Sequence, residues 1–431
     1  LMHGWQIEPG TATGKRVMIV GAGPAGLSAA FHLRRFGHEV TIFDANPQAG
    51  GMIRYGIPKY RMPREKLRAE VARIEAMAVE IKLNTKIDDI LTTKQEGRFD
   101  AVFLCIGAQL PKHVEIGSDD EIPILDAAAV LRDAELDNPS KLKGHVVVYG
   151  GGNTAIDVAR TAIRMGAIST TVIVFEAREH MPAHSFEVEE ALEEGVVLTC
   201  LRSIKQVDCR SVTIERMRAT NERWPESTGE FESIEADVIV QAIGQDIDGG
   251  VLRNVPGVEI KDGITQVDGA MRTGAEEVFA GGDMVPSIRT VTAAIGHGKK
   301  AARNIDAYLR GENHAPPEKH EVVTFDMLNT WYYSDAPRTV RPMLDVVRRK
   351  TGFAEVVGDL DDHNAAFEAR RCLSCGNCFE CDNCYGVCPD NAITKLGPGK
   401  RFTFKYDYCK GCSICATECP CGAINMVLED I

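Results

Sequence analysis

One pattern occurs twice in this chain, and few folds can hold it: strand, glycine turn, helix, strand. Gly21 and Gly150 open the two copies, 129 positions apart. The first copy reads KRVMIVGAGPAGLSAAFHLRRFGHEVTIFDANPQAGG. RVMIV is a short β-branched run, which predicts a buried parallel strand, and the apolar periodicity after GAGPAG predicts a helix. Gly21 permits a tight turn, Gly23 lets the backbone approach a pyrophosphate, and Gly26 lets helix and strand pack closely. The helix N-terminus then offers unpaired N–H groups and a positive dipole end to phosphates. Strand VTIF ends at Asp44, 23 residues past Gly21, where a carboxylate can bond ribose hydroxyls. The second copy, GHVVVYGGGNTAIDVARTAIRMGAISTTVIVFEAREHMPA, puts Gly150, Gly152 and Ala155 in the same roles, with Asn153 and Thr154 opening the helix. Two cradles of this kind usually hold two different dinucleotides; the plainer alternative is that one serves packing alone.

Three further stretches arrange them. FDAVFLCIGA (99–108) and ADVIVQAIGQ (236–245) are near copies, each an acid, an apolar strand and Ile-Gly. Each is expected to close one nucleotide-binding domain as the chain crosses to the other. VFAGGDMVPSIRTVTAAIGHGKKAARNI (278–305) is too short to begin a new domain, so it is expected to return to the first. Within it the Gly281-Gly282-Asp283 turn places Asp283 to bond a ribityl hydroxyl. The helix entered at Thr290 and Val291 aims its positive end at a flavin N1–C2=O edge, where reduction places negative charge. An ordinary connection with an N-capping Asp is the plainer account of Asp283. The expected boundaries are 1–140 with 270–312 for the first domain and 141–269 for the second.

Residues 15–310 resemble the small, flavin-carrying subunit of glutamate synthase and its relatives, on GAGPAGLSAA, GGMIRYGIPKYRMP, VVVYGGGNTAIDVARTA, REHMPA and VFAGGD. The resemblance implies FAD in the first cradle, with Gly50, Gly51 and Met52 beside the flavin, and a nicotinamide cofactor in the second. Two departures matter. That family places its cysteine-rich cluster domain before the flavin domain, whereas here the cysteines come last. Its NADPH-using members tend to carry two arginines where this chain reads Phe175-Glu176. Glu176 stands 26 residues past Gly150, at the expected adenosine ribose, where a carboxylate accepts from free hydroxyls and repels a 2′-phosphate. Arg178 could fold back towards a phosphate, yet the pattern favours NAD(H). The flavin region lacks a CxxC or CxxxxC pair, and Cys105 sits mid-strand as a core thiol. Flavin electrons therefore need another exit.

The tail supplies it. Eleven of the fourteen cysteines follow residue 370, six of them within RCLSCGNCFECDNCYGVCP. A bacterial 4Fe–4S unit requires CxxCxxCxxxCP, three thiolates on one loop and a fourth before Pro that ligates the other cluster. Frames beginning at Cys372 and Cys375 fail, because the fourth position falls on Asp382 and Tyr385. The frame at Cys378 succeeds with Cys381, Cys384 and Cys388, and a second runs Cys409, Cys412, Cys415 and Cys419. By crossover, one cluster takes Cys378, Cys381, Cys384 and Cys419, and the other takes Cys409, Cys412, Cys415 and Cys388. Paired zinc sites would show separated CxxC pairs instead. Cys372, Cys375 and Cys421 are left over, either structural thiols or members of a third site.

The expected fold class is α/β: two nested Rossmann-like dinucleotide-binding domains plus a small C-terminal two 4Fe–4S ferredoxin domain over 365–431. Pro316-Pro317 begins a linker, 313–364, expected to pack over a surface through WYY and the apolar positions after it. A net charge of −13 and no basic, aromatic-interleaved stripe exclude a general nucleic-acid binder. No run of about eighteen apolar residues appears, so no membrane span is expected. The start has no secretory pattern, and a dense, evenly spaced cysteine tail in such a chain indicates metal rather than disulfides, so a cytoplasmic protein is expected.

Hydride transfer moves two electrons and a 4Fe–4S cluster passes one, so a flavin is the converter between them. The whole chain resembles the flavoprotein subunit attached to some 2-oxoacid:acceptor oxidoreductases, such as phenylglyoxylate or 2-oxoglutarate dehydrogenases, on its domain order and on RCLSCGNCFECDNCYGVCPDNAI. That resemblance implies partner subunits with their own iron–sulfur centres. The rivals are a rearranged glutamate synthase small subunit, a bifurcating transhydrogenase subunit, and a non-catalytic cluster scaffold.

Overall fold

The computed structural model describes residues 7–118, 122–136, 138, 142–220, 224–252, 255–315 and 322–428. Pro316 and Pro317, the expected start of the linker, lie outside these residues. The chain forms two units, 1–314 with 344–356, and 315–343 with 357–431.

The first unit contains two five-stranded parallel sheets. One runs Val278–Ala280, Ala101–Leu104, Arg16–Val20, Glu39–Phe43, Glu80–Lys82. Helices cover both faces of a parallel sheet, so RVMIV and EVTIF bury every residue after their first and show no alternation. The helix Pro24–Arg35 begins with Pro at its first turn, where a missing N–H costs nothing. It lies close against Val291–Arg310: a Cβ at Gly298 would stand 2.2 Å from the Ala25 carbonyl oxygen. The strand Val278–Ala280 pairs with Ala101–Leu104, so everything between them is inserted into the first fold.

The second sheet runs Val197–Thr199, Ser169–Ile173, His145–Tyr149, Val238–Gln241, Ile124–Asp126. It begins before the boundary expected at 140. Ile124–Asp126 pairs with Val238–Gln241, and the helix Ala127–Glu135 sends Val130 and Leu131 into the core shared with Ile156 and Ala159. No expected element corresponds to the antiparallel sheet of Arg202–Asp208, Ser211–Arg218 and Glu226–Glu235, with Gly117–Ser118 alongside. Its apolar positions are few and its charges pair across strands, as in Arg218 with Glu226 at 2.9 Å. The short strands Leu110–Pro111 and Gln245–Asp246, one on each crossover, pair antiparallel.

The residues expected to form one linker, 313–364, divide between the units. In the first unit, Arg349 donates to the Glu193 carboxylate at 2.8 Å and the Val356 N–H donates to the Tyr60 carbonyl at 2.9 Å. In the second, the Tyr332 hydroxyl donates to Glu418 at 2.6 Å and the Tyr333 hydroxyl to the Leu373 carbonyl at 3.1 Å. Trp331, by contrast, is 88% exposed.

The second unit is a near-repeat. The short helices Asn383–Val387 and Ile414–Thr417 each follow a left-handed residue, Asp382 (φ 69°) and Ser413 (φ 59°). A hairpin, Ile393–Lys395 with Phe402–Phe404, lies between them in sequence. The helix Asp362–Arg370 precedes both, its N-cap Asp361 accepting from the Asn364 N–H at 2.7 Å.

Candidate dinucleotide and cluster sites

In both cradles the glycine turn passes directly under the strand that follows it in the sheet. A Cβ at Gly21 (φ 115°) would lie 2.4 Å from the Cys105 carbonyl oxygen, and one at Gly150 (φ 145°) 2.3 Å from that of Ala242. Any side chain there would push the strand away. Gly26 is closed in the same sense, its Cβ position lying 2.0 Å from the Gly21 carbonyl oxygen. Gly152 is the opposite case, with nothing within 4 Å, so its backbone is open to an approaching ligand.

A cavity of about 650 Å³ opens between the two folds of the first unit. Gly21, Gly23, Asp44, Gly51 and Met52 line it from the first cradle, and Gly282, Asp283, Thr290 and Val291 from the returning segment. Asn153 and Thr154 line it from the second cradle. Gly50, Gly150, Gly152, Glu176 and Arg178 do not. Gly50 instead donates its N–H to the Ala22 carbonyl at 2.8 Å, tying Ala49–Gly51 to the phosphate turn.

Asp44 is buried and organises its own turn. One carboxylate oxygen accepts from the Ala22 N–H at 2.6 Å, the other from the backbone and side-chain N–H groups of Asn46 at 2.8 and 2.9 Å. Asp283 is less provided for: its Oδ1 is buried without a hydrogen-bond partner among the described residues, and burial pushes its carboxyl above the usual range, against Arg289 and His297. An orphan acceptor on the wall of a nucleotide cavity calls for a ligand hydroxyl or N–H. A ribityl chain supplies one, so the residues present fit FAD. Thr290 caps the twenty-residue helix Val291–Arg310 by accepting from the Ala293 N–H at 3.2 Å, which fixes the dipole's positive end on the cavity wall.

At the second cradle, the Glu176 Oε2 lies 3.4 Å from the position a Gly151 Cβ would take, beside the turn where the adenosine end would sit. Arg178 is exposed and reaches the Met181 sulfur at 3.7 Å. Asn153 accepts from the His184 N–H at 2.9 Å, joining the helix start to the following loop. Cys105, the one cysteine among the described residues lining the cavity, is a buried thiol pushed well above its ordinary value by desolvation. It is a poor redox partner.

One group of cavity residues has no counterpart among the sequence candidates. Arg61 donates to both carboxylate oxygens of Asp157 at 2.9 and 2.7 Å and also to Glu187. Arg61 belongs to the first fold, and the two acids to the helices Asn153–Arg164 and Ser185–Glu193 of the second. Burial pushes Asp157 up to about 6 even so, with Glu187 adding repulsion and Arg61 opposing both. The Tyr60 ring beside it lies under the guanidinium groups of Arg160 and Arg164, at 4.9 and 3.9 Å. The available signal was a stripe of Asp157, Arg160, Thr161 and Arg164 at helical spacing, which puts charged groups on one side of a helix whose other side is apolar.

In the second unit a cavity of about 160 Å³ is lined by Cys378, Cys381 and Cys384 from the first motif and Cys419 from the second. Three near thiols and one distant thiol converging on one space is the donor set of a crossover 4Fe–4S cluster, so the residues present fit it. Cys421 shares the cavity, its sulfur 3.8 Å from that of Cys419. Cys372 and Cys375 line no part of it. The two thiols before proline are matched: Cys388 accepts from the Ala392 N–H at 3.3 Å and Cys419 from the Ala423 N–H at 3.2 Å. Such N–H bonds to sulfur tune a cluster's potential. Cys409 and Cys412 are exposed, while Cys415 is half-buried.

Comparison with known proteins agrees with this geometry. The pyridine nucleotide-disulphide oxidoreductase family model matches residues 15–298, and a 4Fe-4S dicluster domain model matches 377–423. The β subunit of NADP(+)-dependent formate dehydrogenase from Moorella thermoacetica is 37% identical over 394 residues, covering 84% of this chain and 55% of that protein. This chain thus spans little more than half that relative's length. The PreT subunit of NAD-dependent dihydropyrimidine dehydrogenase from Escherichia coli O157:H7 is 32% identical over 305 residues, 70% of this chain and 71% of that one. Among solved structures, Mycobacterium tuberculosis FprA in complex with NADPH superposes with a TM-score of 0.58 at 16% identity, over 70% of this chain and 87% of that one, a likeness of fold. No helix among the described residues is long and apolar enough to cross a membrane. The cofactors of the chain are FAD, a nicotinamide dinucleotide and 4Fe–4S clusters. It belongs to the pyridine nucleotide-disulphide oxidoreductase family, as an oxidoreductase that carries a C-terminal 4Fe–4S dicluster domain.

Proposed function

We propose that this chain is the NAD(H)-handling flavoprotein subunit of a larger 2-oxoacid oxidoreductase of the phenylglyoxylate type. Electrons enter at its clusters and leave as NADH. The observation that carries this is one cavity lined by the first cradle and by the helix start of the second, Asn153 and Thr154, with the orphaned Asp283 on its wall and Cys105 its one cysteine among the described residues. A flavin held there would supply the chemistry that converts between the two-electron hydride of a nicotinamide and the single electrons of clusters. The chain's own residues hold and orient. Gly21, Gly23 and Gly26 form the FAD phosphate cradle; Gly50, Gly51 and Met52 lie along the flavin; Gly282, Asp283, Thr290 and Val291 receive the ribityl chain and ring. Gly150, Gly152, Asn153, Thr154 and Ala155 hold the second dinucleotide. No side-chain base is required, because hydride passes between the two bound cofactors.

NAD(H) is favoured over NADP(H) because Glu176 stands at the ribose end of the second cradle and would repel a 2′-phosphate. The 2-oxoacid partner rests on the resemblance of the cluster segment and the domain order. The two curated relatives described above are by name subunits of a formate dehydrogenase and of a dihydropyrimidine dehydrogenase, which supports reading this chain as one subunit of a larger enzyme.

The test is reconstitution. The purified chain should reduce viologens with NADH, yet give no 2-oxoacid-dependent NAD⁺ reduction until a thiamine-dependent, iron–sulfur 2-oxoacid oxidoreductase is added. NAD⁺ reduction that required glutamate and a glutamate synthase large subunit instead would replace this assignment.

A further inference from the structure

The flavin end of the cavity carries a cationic side chain that the cradles do not use. Arg289 immediately precedes Thr290, the N-cap of the helix Val291–Arg310, and lines the same cavity as Asp283 and Met52. Its backbone is left-handed, at φ 49°. Two hydrogen bonds hold the residue. The Arg289 N–H donates to the Ser287 hydroxyl at 3.1 Å, and its guanidinium Nη1 donates to the Gln245 carbonyl at 2.8 Å. Gln245 belongs to the crossover strand of the second fold, so this one bond ties the guanidinium to that strand. One such bond leaves the remaining donors of the fork for a ligand.

Reducing a flavin puts negative charge on its N1–C2=O edge. The helix dipole offers that edge about half a positive charge from its first turn. Arg289 places a whole one next to the same turn. We propose that Arg289 is the group that holds the negative charge of reduced FAD and so sets its reduction potential, poising the flavin between nicotinamide and clusters. This rests on the assignment of FAD to the first cradle.

The test is a redox titration of the FAD-loaded full chain, following the flavin visible band, for wild type, Arg289→Ala and Arg289→Lys. Losing one partly screened charge should lower the equilibrium constant for two-electron reduction about tenfold. That corresponds to a midpoint potential about 30 mV lower in Arg289→Ala. Arg289→Lys keeps the charge and should stay near wild type. The gap between Ala and wild type should also shrink in about 1 M salt, because Arg289 is exposed and its field is screened. A merely structural role would move neither the Ala–Lys difference nor its salt dependence. An unchanged potential in Arg289→Ala, or an equal fall in Arg289→Lys, overturns the proposal. Should Arg289→Ala lose its FAD, Arg289→Gln against Arg289→Lys makes the same comparison. A wild-type chain that bound no FAD would overturn the cradle assignment instead.

Discussion

Replacing Arg61 with Met tests the ion link that joins the two nucleotide folds. The change removes the one cation that, among the described residues, bonds Asp157 and Glu187, and leaves an unbranched apolar stem in its place. Both acids are buried, 4% and 1% exposed, on the wall of the cavity. Breaking a buried pair by removing one partner typically costs about 3–5 kcal/mol, because the other charge is left uncompensated. Protonation caps that cost. Asp157 already sits at about 6, above its ordinary 3.8, because of burial. The folded chain therefore binds this proton more tightly than the unfolded chain. Its contribution to stability is fully present below pH 4 and is lost as the pH rises through 6. Without Arg61 the carboxyl moves further up and the window widens. Each pH unit within it is worth about 1.4 kcal/mol per proton. The expected loss is therefore ~3–5 kcal/mol at pH 8 and about 1–2 kcal/mol at pH 5.5. Urea unfolding of the full chain followed by far-ultraviolet circular dichroism at the two pH values measures it. Adding Asp157→Asn and Glu187→Gln should recover most of the loss at pH 8. A loss below about 1 kcal/mol at pH 8, or the same loss at both pH values, would refute the argument.

Two further outcomes test the sites. Glu176→Arg should shift the ratio of kcat/KM for NADH over NADPH towards NADPH by at least about tenfold, since it replaces a like charge by an opposite one at the proposed site of the 2′-phosphate; equal wild-type efficiency with both cofactors would remove the basis for assigning NAD(H). Iron analysis should give about eight iron atoms per chain, with Cys381→Ser disturbing one cluster and Cys372→Ser leaving the iron content intact. Loss of a cluster's iron in Cys372→Ser would mean that the ligand frame extends further towards the N-terminus.

The sequence alone determined the parts whose chemistry is local. A turn that must pass under a strand needs glycine at Gly21 and Gly150, and the helix that follows is written in the next dozen residues. A cluster loop needs thiolates at fixed short spacing before a proline, and that spacing is what reads from Cys378 and Cys409 and not from Cys372. Even the nesting was legible, because the duplicated Ile-Gly endings mark both crossovers. What tertiary structure decided is what no spacing encodes. Arg61 meets Asp157 across 96 residues and Glu187 across 126. Leu344–Val356 returns to the first unit through Arg349 and Glu193, 156 residues apart, in the middle of what reads as a linker. The antiparallel sheet over 202–235 hides behind charges that only cross-strand pairing neutralises. Asp283 looks like an ordinary cap until burial leaves one of its oxygens without a partner. For Asp157, Glu187 and Asp283 the deciding quantity is desolvation, which depends on which distant segment covers a charged group, and that is settled only when the chain closes on itself.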